Sequence, residues 1–166
     1  MPRSFVFLDR DGTLLADPGY LHRIEDYALL PGVVEGLRAL QEADFGLAIV
    51  TNQSGIGRGY FTQQQFDALQ SHLLDDLDRH GVRIDGSYFC PHRPDNGCDC
   101  RKPATGMLLR ARDELDAELA SSWVIGDAAS DVELAQRAGC RAIRIGSDPE
   151  DAATVDEAAR RILSPS

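Results

Sequence analysis

The chain has 166 residues, with 17 lysines and arginines against 27 aspartates and glutamates, for a net charge of −10. That length suits one domain with a proper core, and that charge opposes nucleic acid and anionic membrane, because no basic cluster stands out beyond Arg101-Lys102 and the pair Arg141 and Arg144. No apolar stretch reaches the roughly 18–20 residues of a membrane span, and MPRSFVFLD enters the first predicted strand without a signal-peptide pattern; a cytoplasmic monomer with no nucleic-acid or membrane partner is expected.

In chain order the pattern alternates strand and helix. An apolar run over about 4–8 predicts a strand. It opens into FLDRDGTL at 7–14, setting Asp9 and Asp11 at the strand's mouth, with Gly12 free to turn the backbone sharply beside them. Pro31-Gly32 opens a helix over roughly 33–43, with Val33, Leu37 and Leu40 on one face. A second strand over about 45–50 carries Leu47-Ala48-Ile49-Val50 into Thr51-Asn52-Gln53. After the glycine-rich TNQSGIGRGYF loop, Thr62 and Gln65 form a capping-box pattern for a helix running to about His80, where Gly81 stops it. A third strand at about 84–89 leads into a cysteine-rich loop, followed by a helix near 105–119 carrying Met107, Leu108, Leu115 and Leu119. A fourth strand at about 122–126 ends at Gly126-Asp127; a short helix at about 130–138, a fifth strand at about 141–145 and a last helix at about 151–163 complete the pattern.

Near-continuous apolar strands separated by amphipathic helices imply a parallel sheet covered on both faces. The expected fold class is therefore α/β, a three-layer, Rossmann-like parallel sheet of five strands with right-handed crossovers. Ligands of such sheets bind outside the carboxyl ends of the strands, so the polar groups at Asp9, Thr51 and Asp127 should meet at one edge. Only about twenty residues separate Asp11 from the next helix and about ten separate Thr51 from its own, too few for a separate cap domain. Loops should roof the site, and residues 1–166 should form a single domain.

FLDRDGTL, Thr51, Lys102 in CDCRKP, and GDAASD at 126–131 resemble, in order and spacing, the four motifs of the haloacid dehalogenase superfamily of phosphatases. The resemblance covers most of the chain, from Phe7 to about Asp131. It implies that Asp9 attacks phosphorus to form an aspartyl-phosphate and that Asp11 protonates the leaving oxygen, then deprotonates the attacking water. Thr51 and Lys102 would complete the phosphoryl clamp. A carboxylate alone repels a phosphate dianion, so a hard cation, Mg²⁺, is expected between them; the resemblance gives its ligands as the Asp9 carboxylate, the Asp11 backbone carbonyl and Asp127. Each residue also has a plain reading: a threonine is ordinary at a strand end, Lys102 suits a solvated loop, and Asp127 suits a helix cap. Asp131 is either an accessory to the site or an acid in the first turn of a helix, where the dipole favours it.

The loop CPHRPDNGCDC at 90–100 offers Cys90, His92, Cys98 and Cys100 in the pattern C-x-H-x5-C-x-C. Three thiolates and one imidazole suit a closed, tetrahedral, structural Zn²⁺ site, and Pro91, Pro94 and Gly97 supply the turns. The competing reading is a disulfide from Cys90 to either later cysteine, which strands His92 without a role. Arg101 and Lys102 follow the last ligand directly, so fixing the loop would aim both cations. Cys140 reads as a small buried hydrophobe.

Within the superfamily, CPHRPDNGCDCRKP looks like the zinc-loop branch that holds heptose-bisphosphate and histidinol-phosphate phosphatases. ADPGYLHRIEDYALLPGV and TNQSGIGRGYFT resemble the heptose side. The implied substrate is a phosphorylated sugar, a heptose 1,7-bisphosphate losing its 7-phosphate. Implied substrate contacts are Asp17, Pro18, Gly19 and Tyr20, then Asn52, Gln53 and Ser54, with Arg101 as the cation for the second phosphate. Histidinol phosphate is the runner-up substrate, and a phosphoacceptor regulatory module ranks below both. Ala128 stands where these enzymes often carry Lys or Arg, which points to an altered anomer or substrate preference.

Overall fold

The computed structural model describes residues 2–165. Strands β1 (Phe5–Leu8), β2 (Gly46–Asn52), β3 (Gly86–Cys90), β4 (Trp123–Gly126) and β5 (Arg141–Arg144) form one parallel sheet in the order β3-β2-β1-β4-β5. Between and after them lie α1 (Val33–Glu42), α2 (Ser54–Gly57), α3 (Gln63–Arg79), α4 (Gly106–Leu115), α5 (Ala129–Ala138) and α6 (Val155–Leu163).

β1 is flanked by β2 and β4, so both of its faces must be dry, and its sequence FVFL is buried at every position. Strand alternation divides those side chains between two cores. Val6 and Leu8 join Leu47, Ile49 and Ile125 beneath Leu37 and Leu40 of α1, Leu69 and Leu73 of α3, and Ala158 of α6. Phe5 and Phe7 join Ala48, Val50 and Val124 against Met107 and Leu108 of α4 and Leu134 of α5. The result is the expected three-layer α/β sheet. No helix among the described residues is long and apolar enough to cross a membrane.

Several boundaries differ from the sequence reading, each for a local reason. The helix expected to reach 119 stops at Leu115, because Asp116 turns left-handed (φ 55°); Leu119–Ser121 then form a separate 3₁₀ turn. The last helix begins at Val155 and not at 151, with Thr154 as its N-cap accepting from the Glu157 N–H. α2, four residues of Ser-Gly-Ile-Gly, carries no apolar period and so has no mark in the sequence. The capping box at Thr62 and Gln65 forms as expected, with both reciprocal hydrogen bonds present. Cys140 is only partly buried, packed at the margin of the second core.

Sheet order places the chain's turning point at β1, since successive strands run outward from it on either side. A crevice therefore opens beyond the carboxyl ends of β1, β2 and β4, where their neighbouring loops part company.

Candidate active site

Into that crevice the strand ends deliver Asp9 from β1, Thr51 and Asn52 from β2, and Asp127 from β4. Together with Asp11, Asp17, Gly19, Tyr20, Gln53, Ser54, Lys102, Ala128 and Asp131 they line a cleft of about 350 Å³. Pro18 and Arg101 are not among its lining residues. Arg101 borders a separate hollow beside the cysteine loop with Cys98 and Arg137, and its Nη1 is buried there without a hydrogen-bond partner.

Lys102 lies at the centre of the cleft's charge balance. It is buried, and its ammonium donates to Asp9 Oδ1 at 2.8 Å, Asp131 Oδ1 at 2.7 Å and the Val50 carbonyl at 3.0 Å, which uses all three of its protons. Burial alone would favour the neutral amine, but the two carboxylates outweigh it and hold the lysine well above its ordinary range. Asn52 fixes the backbone behind it: its Oδ1 accepts from the Lys102 N–H at 2.9 Å and its Nδ2 donates to the Lys102 carbonyl at 3.3 Å. Asn52, expected to touch substrate, lines the cleft and also positions the lysine.

Asp131 resolves the ambiguity of its sequence position by doing both things. One oxygen takes the Lys102 ammonium, and the other accepts from the Ala128 N–H at 3.1 Å, capping α5. Asp9 Oδ2 accepts from the Thr13 hydroxyl at 3.2 Å. Gln53 Nε2 donates to Thr51 Oγ1 at 2.9 Å and to Asp11 Oδ2 at 3.0 Å, linking two residues expected to carry the chemistry. Gly12 makes the close approach possible: with φ 87° and no Cβ, it leaves space that the Asp127 carboxylate occupies.

Carboxylate oxygens of Asp9, Asp127 and Asp131 lie within 4.8 Å of one another, answered by one ammonium. Desolvation, a hydrogen bond with Asp9 and the nearby negative charges raise Asp127 to about 7. A carboxylate so disfavoured as an anion is relieved by a cation, and an all-oxygen donor set suits a hard divalent ion.

The ligand atoms of Cys90, His92, Cys98 and Cys100 also lie within 4.8 Å of one another. His92 Nδ1 is 3.4 Å from Cys90 Sγ and 3.2 Å from Cys100 Sγ, and Cys90 Sγ is 3.6 Å from Cys98 Sγ. All four cysteines of the chain are free. Burial pushes the Cys98 thiol up, but N–H groups of Arg101 and Cys100 outweigh it and bring it down to about 6. Three sulfurs and one imidazole, gathered at such distances, fit a tetrahedral zinc ion.

An HAD-hydrolase-like family model matches residues 99–163. Among curated proteins, a D-glycero-beta-D-manno-heptose-1,7-bisphosphate 7-phosphatase of Yersinia pestis is 46% identical over 137 residues, covering 78% of this chain and 73% of that protein. The protein of the same name from Haemophilus ducreyi is 45% identical over 148 residues, covering 85% and 81%. This chain belongs to the haloacid dehalogenase-like phosphatases. Among solved structures, D,D-heptose 1,7-bisphosphate phosphatase from B. bronchiseptica, complexed with magnesium and phosphate, superposes with a TM-score of 0.87 at 28% identity, covering 96% of this chain and 98% of that one. Membership in this phosphatase family agrees with the order of strand ends around the cleft.

Two residues of this family member's site escaped the sequence reading. Arg10, between the paired aspartates, is fully buried and binds the Asp11 carboxylate, and Gln70 of α3 braces it. No local pattern marks Arg10: β1 ends at Leu8 and is buried on both faces, so alternation along it does not single out residue 10.

Proposed function

We propose that this chain is a Mg²⁺-dependent phosphomonoester hydrolase that removes the 7-phosphate of D-glycero-β-D-manno-heptose 1,7-bisphosphate. The observation that carries the reading is the buried Lys102 ammonium bridging Asp9 and Asp131 beside Asp127, in a chain about 45% identical to phosphatases of that name. An ammonium held there is preorganised for charge that spreads over phosphoryl oxygens in the transition state.

Asp9 attacks phosphorus as the bond to the sugar oxygen breaks, forming an aspartyl-phosphate. Asp11 gives that oxygen its proton and then takes one from the water that hydrolyses the intermediate. Thr51 and Lys102 hold the phosphoryl oxygens. The Asp9 carboxylate, the Asp11 carbonyl and Asp127 would hold Mg²⁺, which supplies Lewis-acid neutralisation of phosphate charge. Zinc at Cys90, His92, Cys98 and Cys100 would be structural, fixing the loop that carries Lys102. Asp17, Gly19, Tyr20, Gln53 and Ser54 line the remaining cleft and face the sugar; Pro18, next to Asp17, shapes that loop, and Arg101 answers the second phosphate from the neighbouring hollow. Residues 1–166 act as one catalytic domain, a cytoplasmic monomer.

Steady-state kinetics on both heptose-bisphosphate anomers and on histidinol phosphate test the reading. The β anomer should be preferred over histidinol phosphate by at least about a hundredfold in kcat/KM, the scale of discrimination that polar contacts supply. Asp9→Asn should abolish turnover without unfolding. Preference for histidinol phosphate overturns the substrate, and stable single phosphorylation of the wild type overturns the hydrolase.

A further inference from the structure

Arg10 takes no part in the chemistry just described, yet it is the largest wholly buried side chain among the described residues, at 0% exposure. A guanidinium removed from water persists only where its charge and its donors are met. Here Nε donates to Asp11 Oδ1 at 2.7 Å and Nη2 to Asp11 Oδ2 at 3.2 Å, a fork gripping both oxygens of one carboxylate. Nη1 donates to Gln70 Oε1 at 3.1 Å, and Nη2 also reaches the Leu21 carbonyl at 3.4 Å. The guanidinium lies over the Phe66 ring, 5.1 Å from its centroid, and Phe66 packs on Phe89 at 4.6 Å. Gln70 in turn donates to Ser87 Oγ of β3 at 2.7 Å. The fork is therefore anchored to α3 and, through Gln70, to the sheet.

We infer that Arg10 is a positioning residue that sets the carboxylate of Asp11 for proton transfer to the leaving oxygen. The inference rests on the proposed acid–base role of Asp11. A general acid is effective only within hydrogen-bond reach of the atom it protonates, and Asp11 has side-chain torsions that nothing in its own short chain restrains. Arg10 removes that freedom. The tighter bond falls on Oδ1, while Oδ2 takes the longer bond from Arg10 and shares the Gln53 amide. Gln53 lines the cleft, so Oδ2 is the oxygen that exchanges a partner for substrate. Asp11 enters this step protonated on Oδ2, where the Arg10 bond is the longer; as the Asp9 oxygen bonds to phosphorus and the ester P–O bond breaks, the alcohol oxygen takes that proton and leaves the carboxylate that the fork grips. Water then attacks phosphorus, Asp11 takes its proton, and Asp9 and phosphate are released. Lysine at position 10 keeps the charge but lacks the planar fork.

A purely structural arginine, tying the segment at Leu21 to α3, would affect every substrate alike. In kcat/KM, which covers the steps up to release of the alcohol and not the later attack of water, a positioning arginine affects esters whose leaving oxygen needs a proton. The experiment compares kcat/KM of wild type, Arg10→Gln and Arg10→Lys on an activated aryl ester, p-nitrophenyl phosphate, and on an aliphatic ester, a sugar phosphate. Both variants should lose at least about tenfold more on the aliphatic ester than on the aryl ester, within the range that general acid catalysis supplies. Gln70→Leu, which leaves the fork and removes its brace, should show the same selective loss at smaller amplitude; it decides the matter where position 10 variants yield little folded protein. Equal losses on both esters, or none, overturn the inference. Asp9→Asn run in parallel separates the two readings: turnover of both esters surviving in that variant defeats the proposed chemistry itself, whereas equal losses at Arg10 with a dead Asp9 variant defeat only the positioning role.

Discussion

Asp127→Asn should stabilise the metal-free protein while destroying its Mg²⁺-dependent activity. The carboxyl is raised from 3.8 to about 7 by partial burial and by Asp9 and Asp131. At 1.36 kcal/mol for each tenfold change, that shift corresponds to about 4 kcal/mol of unfavourable charge, which we halve to about 2 kcal/mol because the group is only half-buried and water screens it. A raised carboxylate makes the native state bind more protons than the unfolded chain between about pH 4 and pH 7. Wild-type stability from this group is thus greatest at low pH and is lost as pH rises through about 7. Asparagine mimics the protonated form at every pH. In EDTA at pH 8 the variant should melt higher by about 2 kcal/mol, roughly 4–8 °C for a domain of this size, and the gap should shrink below about 1 kcal/mol at pH 5. Excess Mg²⁺ should restore the wild type by about 2.7 kcal/mol at a hundred times its Kd and leave the variant unmoved. Thermal denaturation at both pH values, with and without Mg²⁺, reads each part. A variant less stable than wild type in EDTA at pH 8, or a gap independent of pH, refutes the electrostatic account.

Gly12→Ala places a Cβ against the Asp127 carboxylate at φ 87°; it should cost about 1–3 kcal/mol and weaken Mg²⁺ activation together with kcat, read by denaturation and by Mg²⁺ titration of the rate. In zinc-free protein at pH 7, Cys98, brought down to about 6, should be alkylated by iodoacetamide before Cys140, which burial pushes up to about 11; zinc should protect Cys98, and peptide mapping follows both. Cys98→Ala should lose zinc and much of kcat together, measured by metal analysis and turnover, and full activity without zinc would show that the loop needs no metal to aim Lys102.

The strands were legible because β1, β2 and β4 are covered on both faces, and only continuous apolar runs survive there. Their polar ends followed, and with them Asp9, Thr51 and Asp127. Gly81 (φ 80°) ends α3 as its glycine signals, but nothing in the local pattern marks Asp116 as left-handed. The start of α6 had a signal, Thr154 with Glu157 three residues on, that the acidic run before it concealed. Lys102 was legible only as a motif. Its partner Asp9 lies 93 residues away, and no local pattern specifies such a contact. Sequence shows that Asn52 and Gln53 are polar and near the site, but not that Asn52 also holds both backbone groups of Lys102 or that Gln53 links Thr51 to Asp11, because those partners are brought in by the fold.

The cysteine loop and the cleft are bonded as one unit. Cys90 ends β3, and its carbonyl accepts from the Gln53 N–H at 2.7 Å. Gln53 holds Thr51 and Asp11, while Asn52 beside it holds both backbone groups of Lys102, two residues past Cys100. An ion held by Cys90, Cys98 and Cys100 would close the ring between β3 and Lys102. A buried ammonium with a long, flexible stem loses considerable rotamer freedom on being fixed between two acids. Rigid backbone at both ends of that ring lets folding bear the cost once, before any substrate arrives, so that binding energy is left for the transition state.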